Sequence, residues 1–378
     1  MTRRVYRSTD YGAPTLTGQI QSMITLLQAV LVDGYGSQTL AGGALTAVGT
    51  AATMNIPLAH GWVKTAKITV AGATQTEYNG EFNATVTGNN QVTYTLPSTA
   101  SAGTATGTIT VKLAGCGWTK PLTGTNLAAF KQGAGSSGLY LRVDDTNATY
   151  SAVRGYETMS DVNTGTGAFP TTTQQASPGL YWIKSSTADA TARPWMVIAD
   201  EGFFAFEIDG NSNGNGASPQ ASLNFFGDIT SYLPGDTFKA AIKGATGSSY
   251  VNSTYSSASS ATTASQGCYL ARAYTLTGTA ITIGLHTDYS KGGSGGWGYA
   301  GIPFPNPVDN GLYLSKIWVM ESVTGALRGE VPGVWVPLHT VPLAQMDAFL
   351  GTGDYATKIL QFFKIFSASS LMFEISDT

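Results

Sequence analysis

Trp195-Met-Val-Ile-Ala199 and, beyond Asp200-Glu201, Gly202-Phe-Phe-Ala-Phe-Glu-Ile208 read as two strands whose aromatic residues alternate or stand in pairs, the pattern of sheet faces packed on one another. The same style surrounds them, in Gly138-Leu-Tyr-Leu-Arg-Val143, Ala152-Val-Arg-Gly-Tyr156 and Gly179-Leu-Tyr-Trp-Ile-Lys184. The last third returns to it in Tyr269–Tyr274, Ala280–Leu285, Leu312–Met320, Gly333–Pro337, Ile359–Phe366 and Leu371–Ile375. Between these lie Gly- and Pro-rich connections such as Asp209–Gly216, Lys291–Gly296 and Ile302–Pro307. Residues 115–378 are therefore expected to form the main domain, a β-sandwich-like or barrel-like core in which the late strands supply a second layer. Residues 244–267 are almost wholly Gly, Ser, Thr, Ala, Asn and Tyr, too poor in apolar area to offset ordering entropy alone, and read as a low-complexity loop or strap.

Two further units precede this core. Leu16, Ile20, Met23, Ile24, Leu27, Val30 and Leu31 recur with helical period, with Thr15 as N-cap and Gly34 as the stop. Residues 1–35 thus read as an arm and an amphipathic helix, lying on this chain's own sheet or on a neighbouring subunit. Over residues 36–114, strand patterns in Lys64–Val70, Glu81–Val86, Gln91–Leu96 and Gly107–Lys112 alternate with turn residues, predicting a small inserted β-domain of Ig-like style. The fold class expected is mainly β, with an N-terminal helix and this insertion.

Charged residues make up 11% of the 378, against about 25% in an average soluble domain. Together with 46 glycines, this implies a surface of neutral polar groups, with little self-repulsion to oppose repeated packing against other subunits. Net charge is −3, and the basic residues are scattered apart from Arg3, Arg4 and Arg7, so nucleic acid is not an expected partner. No stretch approaches the roughly 18 unbroken apolar residues of a membrane span, and no signal peptide is evident. Cys116 and Cys268 fit no metal or redox spacing and are expected as free thiols.

Candidate chemistry is thin. His60, His286 and His339 are widely spaced, which argues against a metal site. The available carboxylate pairs are Asp144-Asp145, Asp200-Glu201 and Asp228 with Asp236. Strand neighbours point to opposite faces, and turn aspartates commonly bond turn amides, so none reads as catalytic. Lys291-Gly-Gly-Ser-Gly-Gly296 lacks the order of a phosphate loop. No catalytic, metal or cofactor residue is predicted. The residues nominated for an interaction surface are Leu16, Ile20, Met23 and Leu27 of the helix, with Trp62, Tyr78, Trp297 and Tyr299 from turn-rich contexts.

Arg328-Gly-Glu-Val-Pro-Gly-Val-Trp-Val-Pro-Leu-His339 adds a different kind of information. Its Arg and His flank a Pro-Gly turn and would either grip an anion or, the preferred reading, hydrogen-bond carbonyls and fix the loop. With Tyr6-Arg-Ser-Thr-Asp-Tyr-Gly-Ala-Pro14, Gln75-Thr-Glu-Tyr-Asn-Gly80, Lys184–Trp195, Phe226-Gly-Asp-Ile229 and Pro234-Gly-Asp236, this run resembles segments of tailed-bacteriophage virion proteins. The resemblance implies a non-enzymatic part of a virion, assembled in a bacterial cytoplasm. Tail, baseplate or neck is the expected position, with head decoration or a receptor-binding adhesin for host surface glycan as alternatives. Its partners would be further copies of the chain and other virion proteins, with no cofactor.

Overall fold

The computed structural model describes residues 3–63, 65–208, 222–247, 266–287, 303, 305–337, 348–350, 358–366 and 369–377. The fold is mainly β, built from antiparallel sheets. At its centre, Trp195–Ala199 pairs with Phe203–Ile208, which pairs with Ser222–Asp228, then Ala240–Ala245, then Gln266–Leu270. The N-terminal strand Arg4–Arg7 closes the other side of Trp195–Ala199.

Side chains alternate across a strand, so each central strand feeds two cores. Trp195, Val197, Ala199, Phe204, Phe206, Phe226 and Ile242 belong to one buried cluster. Met196, Ile198, Phe203, Ala205, Phe225, Ala241 and Leu270 belong to the other. All five residues of Trp195–Ala199 are buried, because neither face of this sheet meets water. On one side, Trp182 sits edge-on to Phe206 with ring centroids 4.8 Å apart, and its indole N–H donates to the Lys243 carbonyl. Truncating a ring such as Phe204 there would cost about 3–5 kcal/mol. The other side is covered by Ile283, Leu285, Ile317, Val319, Val331, Val334 and Val336 from the late strands, which are joined to the same ladder through the pairing of Gln266–Leu270 with Ile281–Thr287.

The strands Tyr35–Thr39, Gly107–Leu113, Thr65–Ala73, Gly80–Gly88, Gln91–Thr95, Ala51–Asn55 and Leu45–Val48 form a separate seven-stranded sheet in that spatial order. Its inward residues Ile68, Val70, Val92 and Val111 join the same buried cluster as Tyr6, Phe130 and Trp182, so the two sheets share one apolar interior.

The N-terminal helix is shorter than its apolar stripe. An α-helix spans Ser22–Leu27 and continues as a wider, π-helical turn over Gln28–Asp33. Thr15 does not cap it: Leu16 instead forms a backbone bridge with Arg193, and the helix starts after Gln21, whose φ is 65°. The reason is tertiary. A Cβ at Gly18 would lie 1.9 Å from the Thr187 carbonyl oxygen, so this stretch is pressed against the 185–193 segment before a helix can begin. The missing cap comes from far away, with Asp145 Oδ2 accepting from the amides of Met23 (2.9 Å) and Ile24 (3.2 Å). Gly34 does end the helix, with φ +72° and no room for a Cβ beside the Leu113 carbonyl.

The expected strap at 244–267 is narrower than its composition implied. Gly244 and Ala245 complete the strand Ala240–Ala245, and Gln266 and Gly267 open the strand Gln266–Leu270, because both ends are drawn into the central ladder. Residues 248–265, the 209–216 and 291–296 connections, Trp297, Tyr299 and His339 lie outside the described residues.

Candidate functional site

The Arg328 segment is organised around a buried ionic cluster. Arg328, 2% exposed, opens the strand Leu327–Pro337 and donates through Nη2 to Asp236 (2.5 Å) and through Nη1 to Glu321 (2.9 Å) and the Arg272 carbonyl (3.0 Å). Both carboxylates are otherwise engaged. Asp236 accepts from Ser231 Oγ and the Phe238 amide, and Glu321 accepts from the Tyr274 amide and Thr324 Oγ1. A buried guanidinium between two buried carboxylates, each with further donors, is an arrangement that fixes loops. The expected Pro-Gly turn is not formed: Pro332 and Gly333 lie within the strand Leu327–Pro337, where Gly333 (φ +62°) lies against the Arg3 guanidinium, which a Cβ there would strike.

A second buried pair ties the helix to the sheet. Lys184 Nζ lies 2.5 Å from Asp145 Oδ1 with both side chains fully buried, and it also donates to the carbonyls of Gln19 and Asn147. Ser151 Oγ donates to the same Asp145 oxygen, whose partner oxygen caps the helix. Arg193 is likewise buried, donating to Ser185, Thr187 and Asp189. The Lys184–Trp195 segment therefore fastens the 16–33 region to the core.

The carboxylates considered for chemistry are brought closer than their spacing suggests. Asp200, Asp228 and Asp236 line one open cavity of about 610 Å³ with Arg3 and Lys239. Each is engaged. Asp200 Oδ1 accepts from the Gly202 and Phe203 amides. Asp228 accepts from Gln132 and from the Ser137 amide and hydroxyl, and burial pushes its carboxyl above the ordinary value while these donors pull against it. Asp144 bonds Thr146, and Asp145 faces the opposite way into the core.

His60 accepts the Trp62 amide at Nδ1 and donates from Nε2 to the Gly88 carbonyl, while its ring stacks on Trp62 at 4.5 Å. Burial lowers its pKa, so the ring is held neutral. Both cysteines are buried free thiols, and burial pushes Cys116 up to about 11 and Cys268 up to about 12. Among the described residues, no group of three or more His, Cys, Asp or Glu is placed to hold a metal ion. No described helix is long and apolar enough to cross a membrane.

Most residues nominated for contact with partners are turned inward. Leu16, Met23 and Leu27 are fully buried in this chain's own core. Trp62 and Tyr78, expected on exposed loops, are 7% and 0% exposed: Trp62 stacks on His60, and the Tyr78 hydroxyl donates to the Ala102 carbonyl. Ile20, at 52%, alone remains outward among those described. Trp297 and Tyr299 lie outside the described residues.

A different apolar group faces out. Tyr232 (45% exposed), Tyr274 (49%), Val323 (89%) and Leu327 (47%) gather around the buried Arg328 cluster. The Tyr232 amide donates to the Arg328 carbonyl, the Tyr274 amide donates to Glu321, and Val323 sits in the turn between Glu321 and Leu327. The Arg328 segment was the signal for this place, yet sequence spacing could not reveal which side chains it would push outward. No family model and no curated protein matches the sequence.

Proposed function

We propose that the chain is a non-enzymatic structural component of a tailed-bacteriophage virion, acting by self-association and docking to other virion proteins. The observation that carries this reading is the outward set Tyr232, Tyr274, Val323 and Leu327, mounted on the rigid Arg328–Asp236–Glu321 cluster. Apolar residues gathered on a fixed platform mark a protein contact, and the ionic cluster beneath holds their backbone in place. The sparse charge of the chain supports the same reading, since a neutral polar surface packs repeatedly at little electrostatic cost. So does the engagement of the buried carboxylates, which hold loops and a helix end.

Tail, baseplate or neck is the position we favour, with head decoration as the alternative, and the 36–114 sheet serves in this reading as an Ig-like spacer. The test is the mass of the purified full chain by light scattering across a concentration series. A defined oligomer supports the proposal, and a monomer at every concentration contradicts it.

A further inference from the structure

The Lys184–Asp145 pair stands in surroundings suited to more than an ionic contact. Lys184 Nζ lies 2.5 Å from Asp145 Oδ1, and both side chains are fully buried. Two charges held away from water are each costly, and burial pulls the Lys184 pKa down, toward the neutral amine. Passing one proton from Nζ to Oδ1 across that contact turns the pair into an amine facing a carboxylic acid. The groups around it are those an acyl transfer uses. The two hydrogens left on Nζ donate to the carbonyls of Gln19 (2.7 Å) and Asn147 (2.9 Å), so the nitrogen lone pair is left for the carboxyl. Asp145 Oδ2 accepts from the amides of Met23 (2.9 Å) and Ile24 (3.2 Å), a pair of donors that stabilises an oxyanion. Ser151 Oγ, 2.7 Å from Oδ1, donates to the other oxygen, the one that must leave.

We infer that Lys184 and Asp145 join in an intramolecular isopeptide bond once the chain has folded. Nζ attacks Cγ, and negative charge gathers on Oδ2 against the two amides. The Cγ–Oδ1 bond then breaks, and Oδ1 departs as water with the two protons that Nζ gives up in becoming an amide nitrogen. The condensation balances without a co-reactant. It closes a covalent loop across 39 positions and locks the Lys184 segment to the group that caps the helix. The inference adds a modification to the assembly role and does not depend on it.

The test is mass spectrometry of the full chain, aged in buffer after purification and unfolded before measurement. The expected result is an intact mass one water below that of the sequence, with a branched tryptic peptide joining Val143–Arg154 to a stretch left uncut after Lys184. Lys184→Arg keeps the buried cation but cannot close the amide, and is expected to lose both the branch and the mass deficit. An intact mass equal to that of the sequence, with cleavage after Lys184, would overturn the inference. So would loss of water without a branch, as from a cyclised aspartate, or a deficit that persists in Lys184→Arg.

Discussion

Arg328 reaches Asp236 across 92 positions of sequence, its Nη2 lying 2.5 Å from the carboxylate with both side chains almost fully buried. That contact joins the strand Leu327–Pro337 to the loop ahead of Ala240–Ala245, and the second guanidinium nitrogen adds Glu321. Removing the cation leaves two buried carboxylates facing each other's field. Arg328→Met is expected to destabilise the protein by about 3–5 kcal/mol, and Arg328→Lys to recover little of it, since one ammonium lacks the fork that serves both acids. Urea unfolding measures this, and a loss under about 1 kcal/mol would show that the cluster does not hold the fold.

Asp145 links the helix to the sheet by capping Met23 and Ile24 with one oxygen and holding Lys184 and Ser151 with the other. In Asp145→Ala the amides of Met23 and Ile24 lose their acceptor and Lys184 is left as a buried cation. Hydrogen exchange over Ser22–Leu27 should accelerate well beyond that of the central strands, as local opening of a single element. Uniform acceleration across the molecule would mean that the pair stabilises the whole fold and gives the helix nothing of its own.

Lys243 is buried opposite Cys268 in the central ladder, and burial pulls its ammonium from the ordinary 10.5 down to about 8. The folded state thus favours the neutral amine. Between about 8 and 10.5 the unfolded chain binds a proton that the folded chain has released, so stability rises with pH through that window. Below about 8 the lysine is charged in both states and the burial penalty is present in full. Lys243→Met should abolish the rise. Unfolding free energies of both proteins at pH 7 and pH 10 decide it: a difference between them that does not change with pH contradicts the assignment.

Cys116 and Cys268 should be inert in the native protein. Burial holds both thiols protonated far above neutral pH, and Cys116 is further engaged with Tyr6. A thiol-reactive disulfide reagent at pH 8 is expected to label neither until denaturant is added, after which both react. Rapid labelling of the folded chain would show that one of them is reached by solvent.

Period-2 patterning made the sheet legible: Thr65–Ala73, Gln91–Thr95, Trp195–Ala199 and Leu314–Glu321 stand within a few residues of where alternation put them. Strands of small residues were not. Leu45–Val48, Ala51–Asn55 and Ala240–Ala245 carry too little side-chain contrast to show a period, and they become strands because neighbours supply the ladder. The helix misled in a specific way. Leu16 belongs to the apolar stripe and is buried with it, yet its backbone pairs with Arg193, a contact that no local pattern encodes.

Arg328 stood out in the sequence but its partners did not: Glu321 is seven residues away, whereas Arg272 and Asp236 lie 56 and 92 residues away. Trp62 and Tyr78 were misjudged as exposed for the same reason. Turn-rich flanks mark a loop, whereas burial is set by packing partners, the His60 ring for Trp62 and the Ala102 carbonyl for Tyr78.

The measurement that tests the account most directly is the light-scattering mass of the intact chain beside its Val323→Asp/Leu327→Asp variant at matched concentration. Both positions are exposed, so the charges should leave the fold and its melting temperature unaltered. The account predicts a defined oligomer for the parent and a monomer for the variant. Identical masses for the two would contradict it, because the outward apolar set over Arg328 would then have no part in assembly.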